Sequence, residues 1–423
     1  PPFCIKSSTR VPGSRALLCS VVDIGPQRCA TLFNCLGSLT ILASMKRESG
    51  PQNVVDTPNG TAVDGPKSWL GGLPTYPRSQ VPPAYREPFI MSGYRKTNIS
   101  LSECLAYTLV WHNDVCNFWS HFLPLLVWLP WLCLLSLTHH LSQPFYYPLL
   151  CFWFGSCAYA LFSSIAHLFG AKSHLVRNVC FMADYIGITI IYAGGGLYNL
   201  HHQLPLSSSL YDYLFPLVCL HLLACVVAAL FGSLSRFFWF RQRFLVRALA
   251  FFPAYVICIT PFTLRMLSCA STGQDCIWPT FHLHFLSILL TWIVVFFFVS
   301  KIPERLAPGR FDIFPHSHTL FHISAVALTT MQMYIFPQDS EIRKTQLLEK
   351  VSPSFMTLIL PFLVMICVGL VLVLFLAFLL MRGVLVPHGV GSTLSSLHGG
   401  PHTVDTPSTN GGPCCIPPLK KQQ

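Results

Sequence analysis

Eight long apolar runs separated by shorter polar connections dominate the sequence after residue 116. Each run has about twenty residues or more, the length that a helix needs to cross a bilayer. The runs predict helices at residues 117–138, 145–169, 178–200, 210–232, 244–267, 281–301, 316–337 and 354–381. Prolines inside some runs agree with this prediction, because membrane helices tolerate proline better than soluble helices do. The pattern predicts an all-α polytopic membrane protein.

Composition supports this fold class. The 423 residues are 52% hydrophobic and only 10% charged, whereas about a quarter of the residues of a soluble domain are charged. The net charge of +11 comes from short basic clusters between the apolar runs. A nucleic-acid-binding protein would carry a basic stripe on a polar domain, and the sequence contains no such domain. We therefore expect contact with membrane lipids and no nucleic-acid partner.

The distribution of lysine and arginine predicts the orientation in the membrane. Alternate connections are basic, and they contain Lys172 and Arg177, then Arg236, Arg241 and Arg243, then Lys301, Arg305 and Arg310. The connections 139–144 and 201–209 contain neither residue type. Because basic loops stay in the cytosol, both termini of an eight-span chain are predicted to be cytosolic. The stretch 338–353 disagrees, since it should lie outside and yet it holds three basic residues.

The segments outside the membrane body are expected to be organised as follows. Residues 1–44 precede the first methionine and are interpreted as an upstream extension or a gene-model artefact, with a signal peptide as the alternative. Residues 45–116 are predicted to form a cytosolic tail. The body then covers 117–337, followed by a loop and an eighth span over 338–381. A disordered cytosolic tail is expected at 382–423.

Most of the 18 cysteines lie within apolar spans, where a thiol behaves as a small hydrophobic group. Cys269 and Cys276 differ, because they flank a short polar loop. The predicted orientation places this loop outside the cell, where a disulfide can form.

Ionisable residues from three separate spans are predicted to lie at one depth of the membrane. His167 ends the second span, Asp184 lies about two turns into the third, and His318 and His322 begin the seventh. Such groups are costly in hydrocarbon and usually serve a function. The two histidines of the seventh span are four residues apart and share one helix face. With His167 they provide three nitrogen ligands and leave one position open, as in a catalytic zinc site.

The residues alone leave other interpretations open. Histidines four residues apart also occur at helix ends without a metal, and Asp184 can instead form a salt bridge with Arg177 or Lys172 near the cytosolic leaflet. Ser163 lies one turn before His167 and on the same face, so it can contact a ligand or a water molecule. Four further histidines are predicted to be interfacial because they lie in outward connections, namely His139, His140, His201 and His202.

Several separated motifs in residues 87–337 resemble the progestin and adipoQ receptor family. Order and spacing together make the match specific. The motifs are EPFIMSGYR at 87–95, HNDVCNFWSH at 112–121, SSIAH at 163–167 with Asp184-Tyr185 after it, PERLAPGRFD at 303–312 and SHTLFH at 317–322.

The resemblance implies a seven-helix body in which His167, His318 and His322 bind zinc, with Ser163 and Asp184 close by. The PER motif and the eighth span are most similar to the membrane progestin receptor branch. The sequence departs from the family pattern at four positions, none expected to touch a zinc ligand. They are Asp114 in place of glutamate, Ser120 in place of threonine, Pro315 in place of glycine and Thr319 in place of glutamine.

Two functions are compatible with these features. The resemblance implies a plasma-membrane receptor that binds a progestin-class steroid and signals to a cytosolic partner. The alternative is a zinc-dependent intramembrane hydrolase of lipid amides, similar to a ceramidase. Asp184 would then orient or deprotonate the attacking water, and Ser163 would help to hold the oxyanion. A scaffold with a purely structural zinc is a third possibility.

Overall fold

The structure is a computed structural model that describes residues 73–138, 143–239, 241–276 and 278–386. It is helical, as predicted. The helices are α1 (Leu101–Ala106), α2 (Val115–Thr138), α3 (Tyr147–Phe169), α4 (His174–His202), α5 (Leu214–Leu234), α6 (Arg243–Thr272), α7 (Trp278–Ser300), α8 (Ser317–Leu348) and α9 (Leu360–Met381). The predictions for residues 1–44, for His139 and His140, and for the chain after residue 386 lie outside the described residues.

Helices α2 to α9 are all long and apolar enough to cross a membrane, which confirms the prediction of eight spans. The largest difference from the predicted boundaries is in the seventh span. Its helix does not end at residue 337 but continues to Leu348, so the predicted loop over 338–353 is wrong for most of its length. The side of the membrane on which each terminus lies stays a prediction.

Helix α4 lies at the centre of the bundle and packs against α3, α5, α6 and α9. Its closest neighbour is α3, and glycines on both helices allow the backbones to approach. A Cβ atom on Gly194 would lie 2.5 Å from the carbonyl oxygen of Cys151, and one on Gly155 would lie 2.7 Å from the Cα of Ile191. Small residues at such contacts are typical of membrane helix pairs. This contact fixes the register between His167 on α3 and Asp184 on α4.

The segment before α2 is not a free tail where the structure describes it. Tyr94 and Arg95 are buried, and the Arg95 guanidinium donates to the carbonyl oxygens of His167 and Leu168 at 2.8 and 2.9 Å. The backbone amide of Met91 donates to Asp312 at 2.9 Å. Residues 73–114 therefore cover one end of the bundle, where α3 and α7 finish and α4 and α8 begin. We call this end of the bundle the amino-terminal end.

A buried polar network joins the helices at the opposite end. Asp339 of α8 is its centre, and its side chain has no solvent exposure. One carboxylate oxygen accepts hydrogen bonds from Gln203 at 2.8 Å and Arg265 at 3.2 Å, and His284 Nε2 lies 2.7 Å from the same atom. The other oxygen accepts from Thr280. The network thus connects α8 to the ends of α4, α6 and α7.

Arg343 lies one turn after Asp339 and extends this network to the loop after α6. Its guanidinium donates to the carbonyl oxygen of Leu204 at 2.9 Å and to Asp275 at 3.2 Å. Cys269 and Cys276 form the predicted disulfide around that aspartate. Because Asp339 and Arg343 are four residues apart, a helix places both on one buried face. This pairing explains why the charged stretch remains helical.

His201 and His202 are also placed differently from the prediction. Both lie in the last turn of α4 and are buried, with 3% and 1% of their surface exposed. The ring of His202 stacks on Tyr198 and meets Phe145 edge-on. The interfacial assignment was wrong because the polar network covers the end of α4.

The Asp339 network predicts a large loss of stability in Asp339→Asn. Among the described residues, Arg265 donates hydrogen bonds to a backbone carbonyl oxygen, to Gln203 and to Asp339, and only Asp339 is charged. The change removes this charge. Breaking a buried ion pair from one side costs about 3–5 kcal/mol. Thermal unfolding of the detergent-solubilised protein should show a clear fall in Tm. Glu349→Gln, at an exposed position near the end of α8, is the control and should unfold as the native protein does. Equal Tm values for both variants would contradict the prediction that this network contributes strongly to stability.

Candidate metal centre

The three histidines predicted as ligands lie together at the amino-terminal end of the bundle. The last turn of α3 carries His167, and the first two turns of α8 carry His318 and His322. One nitrogen atom from each ring lies within 4.8 Å of the other two. His167 and His322 are each 2% exposed, so the cluster is buried. His318 and His322 on one face of α8 therefore lie next to His167 at the end of α3, as the sequence predicts.

The distance between two of these rings fits a zinc ion. His167 Nε2 and His318 Nε2 are 3.3 Å apart. Two imidazole nitrogens bound to one tetrahedral zinc at 2.0–2.1 Å would be separated by about 3.4 Å. Three neutral imidazoles with one open position are also a typical zinc donor set. The residues present therefore fit the metal, and their role as ligands stays a prediction.

Asp114 orients the ring of His167. The Nδ1 atom of His167 donates to the Asp114 carboxylate at 2.8 Å, so Nε2 carries no proton in the neutral ring and faces His318. The guanidinium of Arg95 donates to the other carboxylate oxygen at 3.0 Å. Burial alone would raise the pKa of the Asp114 carboxyl, but His167 and Arg95 hold it well below its usual range. Such a carboxylate–histidine pair is a common support of metal ligands.

Ser120 and His121 of α2 support His322 in a similar way. The Ser120 hydroxyl donates to the carbonyl oxygen of Asn117 at 2.8 Å, so it accepts from His322 Nδ1, 3.0 Å away. This leaves His322 Nε2 without a proton and able to bind a cation. The ring of His121 stacks on that of His322 with 4.0 Å between their centroids.

The departures from the family pattern are therefore not all remote from the predicted ligands. Asp114 and Ser120 each contact one of them, contrary to the expectation. Thr319 donates to Asn117 of α2 at 2.8 Å and holds α8 against α2. His316, which precedes α8, lies 3.0 Å from the carbonyl oxygen of Asn113 and outside the three-histidine cluster.

Asp184 and Ser163 lie beside the cluster, as predicted. Both side chains are buried, and the Asp184 carboxylate interacts electrostatically with His167 and Ser163. The alternative salt bridge between Asp184 and Arg177 does not form, since Arg177 pairs with Glu87 at 3.1 Å. Asp184 and Ser163 are therefore placed to contact a ligand or a water molecule near the histidines.

A cavity of about 570 Å³ extends from the histidines into the bundle. Beyond the polar cluster its wall is largely aromatic and aliphatic and is formed mainly by α4, α6, α7 and α8. Leu249, Phe252 and Trp292 line this cavity on α6 and α7, and each of them is more than half exposed. The cavity is therefore accessible from the lipid side between α6 and α7.

Sequence reasoning did not identify Asp114, Ser120 and His121 as part of the site. The signal was present in the spacing of Asp114, Asn117 and His121, which are three and four residues apart and share one face at the start of a helix. A polar stripe of this kind on a membrane helix predicts contact with other polar groups. The residues predicted to lie at one depth came from the second, third and seventh spans, and none came from the first.

These features define a multi-pass helical membrane protein with a buried three-histidine centre at one end of an apolar cavity. Residues 109–333 match the model of the family described as Haemolysin-III related, and the chain belongs to this family. The resemblance to the progestin and adipoQ receptor family is thereby confirmed.

Several relatives carry the name of membrane progestin receptors. Membrane progestin receptor gamma-B of Danio rerio is 33% identical over 289 residues, which cover 64% of this chain and 83% of the relative. Membrane progestin receptor delta of Homo sapiens is 32% identical over 280 residues, covering 63% and 79%. Membrane progestin receptor gamma of Homo sapiens is 29% identical over 282 residues, covering 65% and 84%.

Removal of the Asp114 carboxylate should weaken zinc binding. In Asp114→Ala the ring of His167 loses the acceptor that fixes its orientation, and loss of such a support typically lowers metal affinity about 10- to 100-fold. Competition with a chromogenic chelator measures this affinity in the purified protein. Asp114→Glu restores the usual family residue and should bind zinc as the native protein does. Asp212→Ala, at an exposed position at the other end of the bundle, is the control. Native affinity in Asp114→Ala would show that this carboxylate does not support a zinc ligand.

Proposed function

We propose that this protein is a plasma-membrane receptor for a progestin-class steroid, with zinc at the three-histidine centre and signalling to a cytosolic partner. The observation that carries the proposal is the apolar cavity that reaches from the histidines to the lipid side of α6 and α7. The names of the relatives, which are membrane progestin receptors, support the choice of ligand.

The size and lining of the cavity suit a rigid lipophilic ligand. A volume of about 570 Å³ lies within the range of 300–1,000 Å³ that is typical of small-molecule sites. Tyr255 and Trp292 pack edge-on at 5.9 Å between ring centroids and form part of the apolar wall. Thr329 and Gln332 also line the cavity and provide hydroxyl and amide groups. An apolar body with a few fixed polar groups is what a steroid with keto groups requires.

The chain's own residues prepare the histidines for a metal. Asp114 and Ser120 set the orientation of two rings, and Thr319 ties α8 to α2. A zinc ion held by His167, His318 and His322 would supply a positive charge that can polarise a carbonyl oxygen. In a receptor this charge would stabilise the junction of α2, α3 and α8, which lines the ligand cavity.

The lipid-amide hydrolase considered from the sequence uses the same residues. Asp184 and Ser163 line the cavity beside the histidines. The relatives described above carry the name of receptors, however, and this does not favour the hydrolase.

Filling the cavity should abolish steroid binding. In Ala325→Trp a large ring replaces a methyl group that lines the cavity, so a progestin should lose most of its binding volume. Saturation binding of a radiolabelled progestin to the purified protein measures the effect, and we expect a loss of at least about tenfold in affinity.

Val364→Trp is the matched control, because Val364 is 51% exposed on the outer face of α9 and does not line the cavity. It should bind the steroid normally. Both variants should keep their zinc, since neither residue belongs to the three-histidine cluster. A native protein without saturable progestin binding, or equal binding by Ala325→Trp, would contradict the receptor proposal. Hydrolysis of a lipid amide by the native protein that is lost in His318→Ala would favour the enzyme instead.

A further inference from the structure

The wall of the cavity at the amino-terminal end of the bundle is strongly basic. Five cationic side chains from α4, from the connection after α5, from α6 and from the end of α7 line this region. They are Arg177, Arg236, Arg243, Arg247 and Lys301, and we call them the basic rim. None of these residues belongs to the three-histidine centre.

Two phenylalanine rings hold the basic rim together. The guanidinium groups of Arg177 and Arg236 lie 5.0 and 4.8 Å from the ring centroid of Phe181. Lys301 Nζ lies over the ring of Phe244, 3.7 Å from its centroid. Arg243 and Arg247 lie 4.8 and 5.6 Å from the same ring. Cation–π contacts of this kind offset part of the repulsion between like charges.

The rim is poorly neutralised by the carboxylates around it. Glu87 is shared by Arg177 and Arg243, with distances of 3.1 and 3.3 Å, and its side chain is 43% exposed. Glu304 is near Lys301 but accepts hydrogen bonds from the backbone amide and the hydroxyl of Ser317. Among the described residues, six arginine and lysine side chains and three carboxylates line the cavity.

The two other carboxylates in the cavity serve the histidine end. Asp114 is bound to Arg95 and His167, and Asp184 interacts with His167 and Ser163 as well as with Arg236 and Arg247 of the rim. A zinc ion at the histidines would add further positive charge. The basic rim therefore faces a cavity with an excess of positive charge.

This excess charge is largely withdrawn from water. Arg177, Arg247 and Lys301 are only 8%, 8% and 7% exposed. Burial, together with Arg243 and Arg247, lowers the pKa of Lys301 to about 8, although Glu87 and Glu304 act in the opposite direction. Buried cations that lack equal negative charge are costly. An anion at this position would offset that cost.

The part of the cavity next to the rim is apolar. Phe251, Tyr255 and Trp292 continue the wall from the rim into the bundle, on the side where α6 and α7 reach the lipid. A ligand that fills both parts needs an anionic group at one end and a hydrocarbon chain behind it. A neutral steroid does not use the charge of the rim.

We propose that the basic rim binds the phosphate head group of an anionic lipid, whose acyl chain lies in the apolar part of the cavity. The lipid enters between α6 and α7. This ligand class goes beyond the proposed steroid and does not depend on the presence of a metal at the histidines. On the predicted orientation, the rim lies at the cytosolic leaflet, where anionic lipids are abundant.

Two pairs of probes test the proposal on the full-length protein in a neutral detergent. Dioctanoyl phosphatidic acid and dioctanoylglycerol differ by the phosphate, and oleate and oleyl alcohol differ by the carboxylate. Quenching or enhancement of tryptophan fluorescence reports binding, because Trp292 lines the cavity. We expect phosphatidic acid to bind about tenfold or more tightly than dioctanoylglycerol. Binding of oleate without tight binding of phosphatidic acid would overturn the proposal, because it would assign a carboxylate to the rim.

Variants locate the binding to the rim. Lys301→Gln should lower the affinity for the anionic probe about tenfold and leave the neutral probe unaffected, whereas Lys301→Arg keeps the charge and should bind. Arg241→Gln is the matched control, because it removes an exposed charge two residues before Arg243 that does not line the cavity. Zinc content and progestin binding of Lys301→Gln should stay native, which separates this proposal from the receptor proposal. Equal affinities for anionic and neutral probes in the native protein, or native affinity of Lys301→Gln for the anionic probe, would overturn it.

Discussion

A charged or imidazole side chain inside a bilayer is stable only where another group of the protein pairs with it. In the described part of the chain most of these groups gather at the two ends of the bundle, and the contact between α3 and α4 lies between them. Asp339 and Arg265 form the centre of one end, and Asp114, Arg95 and His167 form the support of the other. The requirement for partners fixes the relative positions of helices that are far apart in sequence. The cavity is the space that remains between these fixed helices.

The sequence predicted the spans well because length and hydropathy are properties of one segment at a time. It failed at residues 338–348, where the helix contains Asp339 and Arg343. Hydropathy ends a span at such residues, because it depends on one segment only. It does not include their partners on other segments, Gln203, Arg265 and Asp275. The same reason explains His201 and His202, which are polar in sequence but buried in the structure.

The site could be predicted in part for a similar reason. His318 and His322 share a helix face by their spacing, and depth placed His167 beside them. The contacts of Asp114 with His167 and of Ser120 with His322 span 53 and 202 residues of sequence. Such contacts depend on how α2 packs against α3 and α8, which no local pattern records. The family resemblance marked both residues as departures and gave no indication of their contacts.

At the amino-terminal end of the bundle, the cavity wall has two chemically different regions. The histidine centre presents unprotonated ring nitrogens that suit a cation, whereas the basic rim presents positive charge that suits an anion. The apolar wall between α6 and α7 is common to both. A receptor for lipophilic ligands can use this arrangement to bind different classes of ligand in one cavity. The assignment of a metal site depends on the histidine centre.

Elemental analysis of the purified full-length protein after dialysis against zinc tests this centre most directly. We expect about one zinc ion per chain in the native protein and a loss of that zinc in His167→Ala and in His318→Ala. His282→Ala, at an exposed position on α7, should keep it. A native protein without zinc, or zinc retained at the same stoichiometry in both cluster variants, would contradict the assignment of the three histidines as a metal centre.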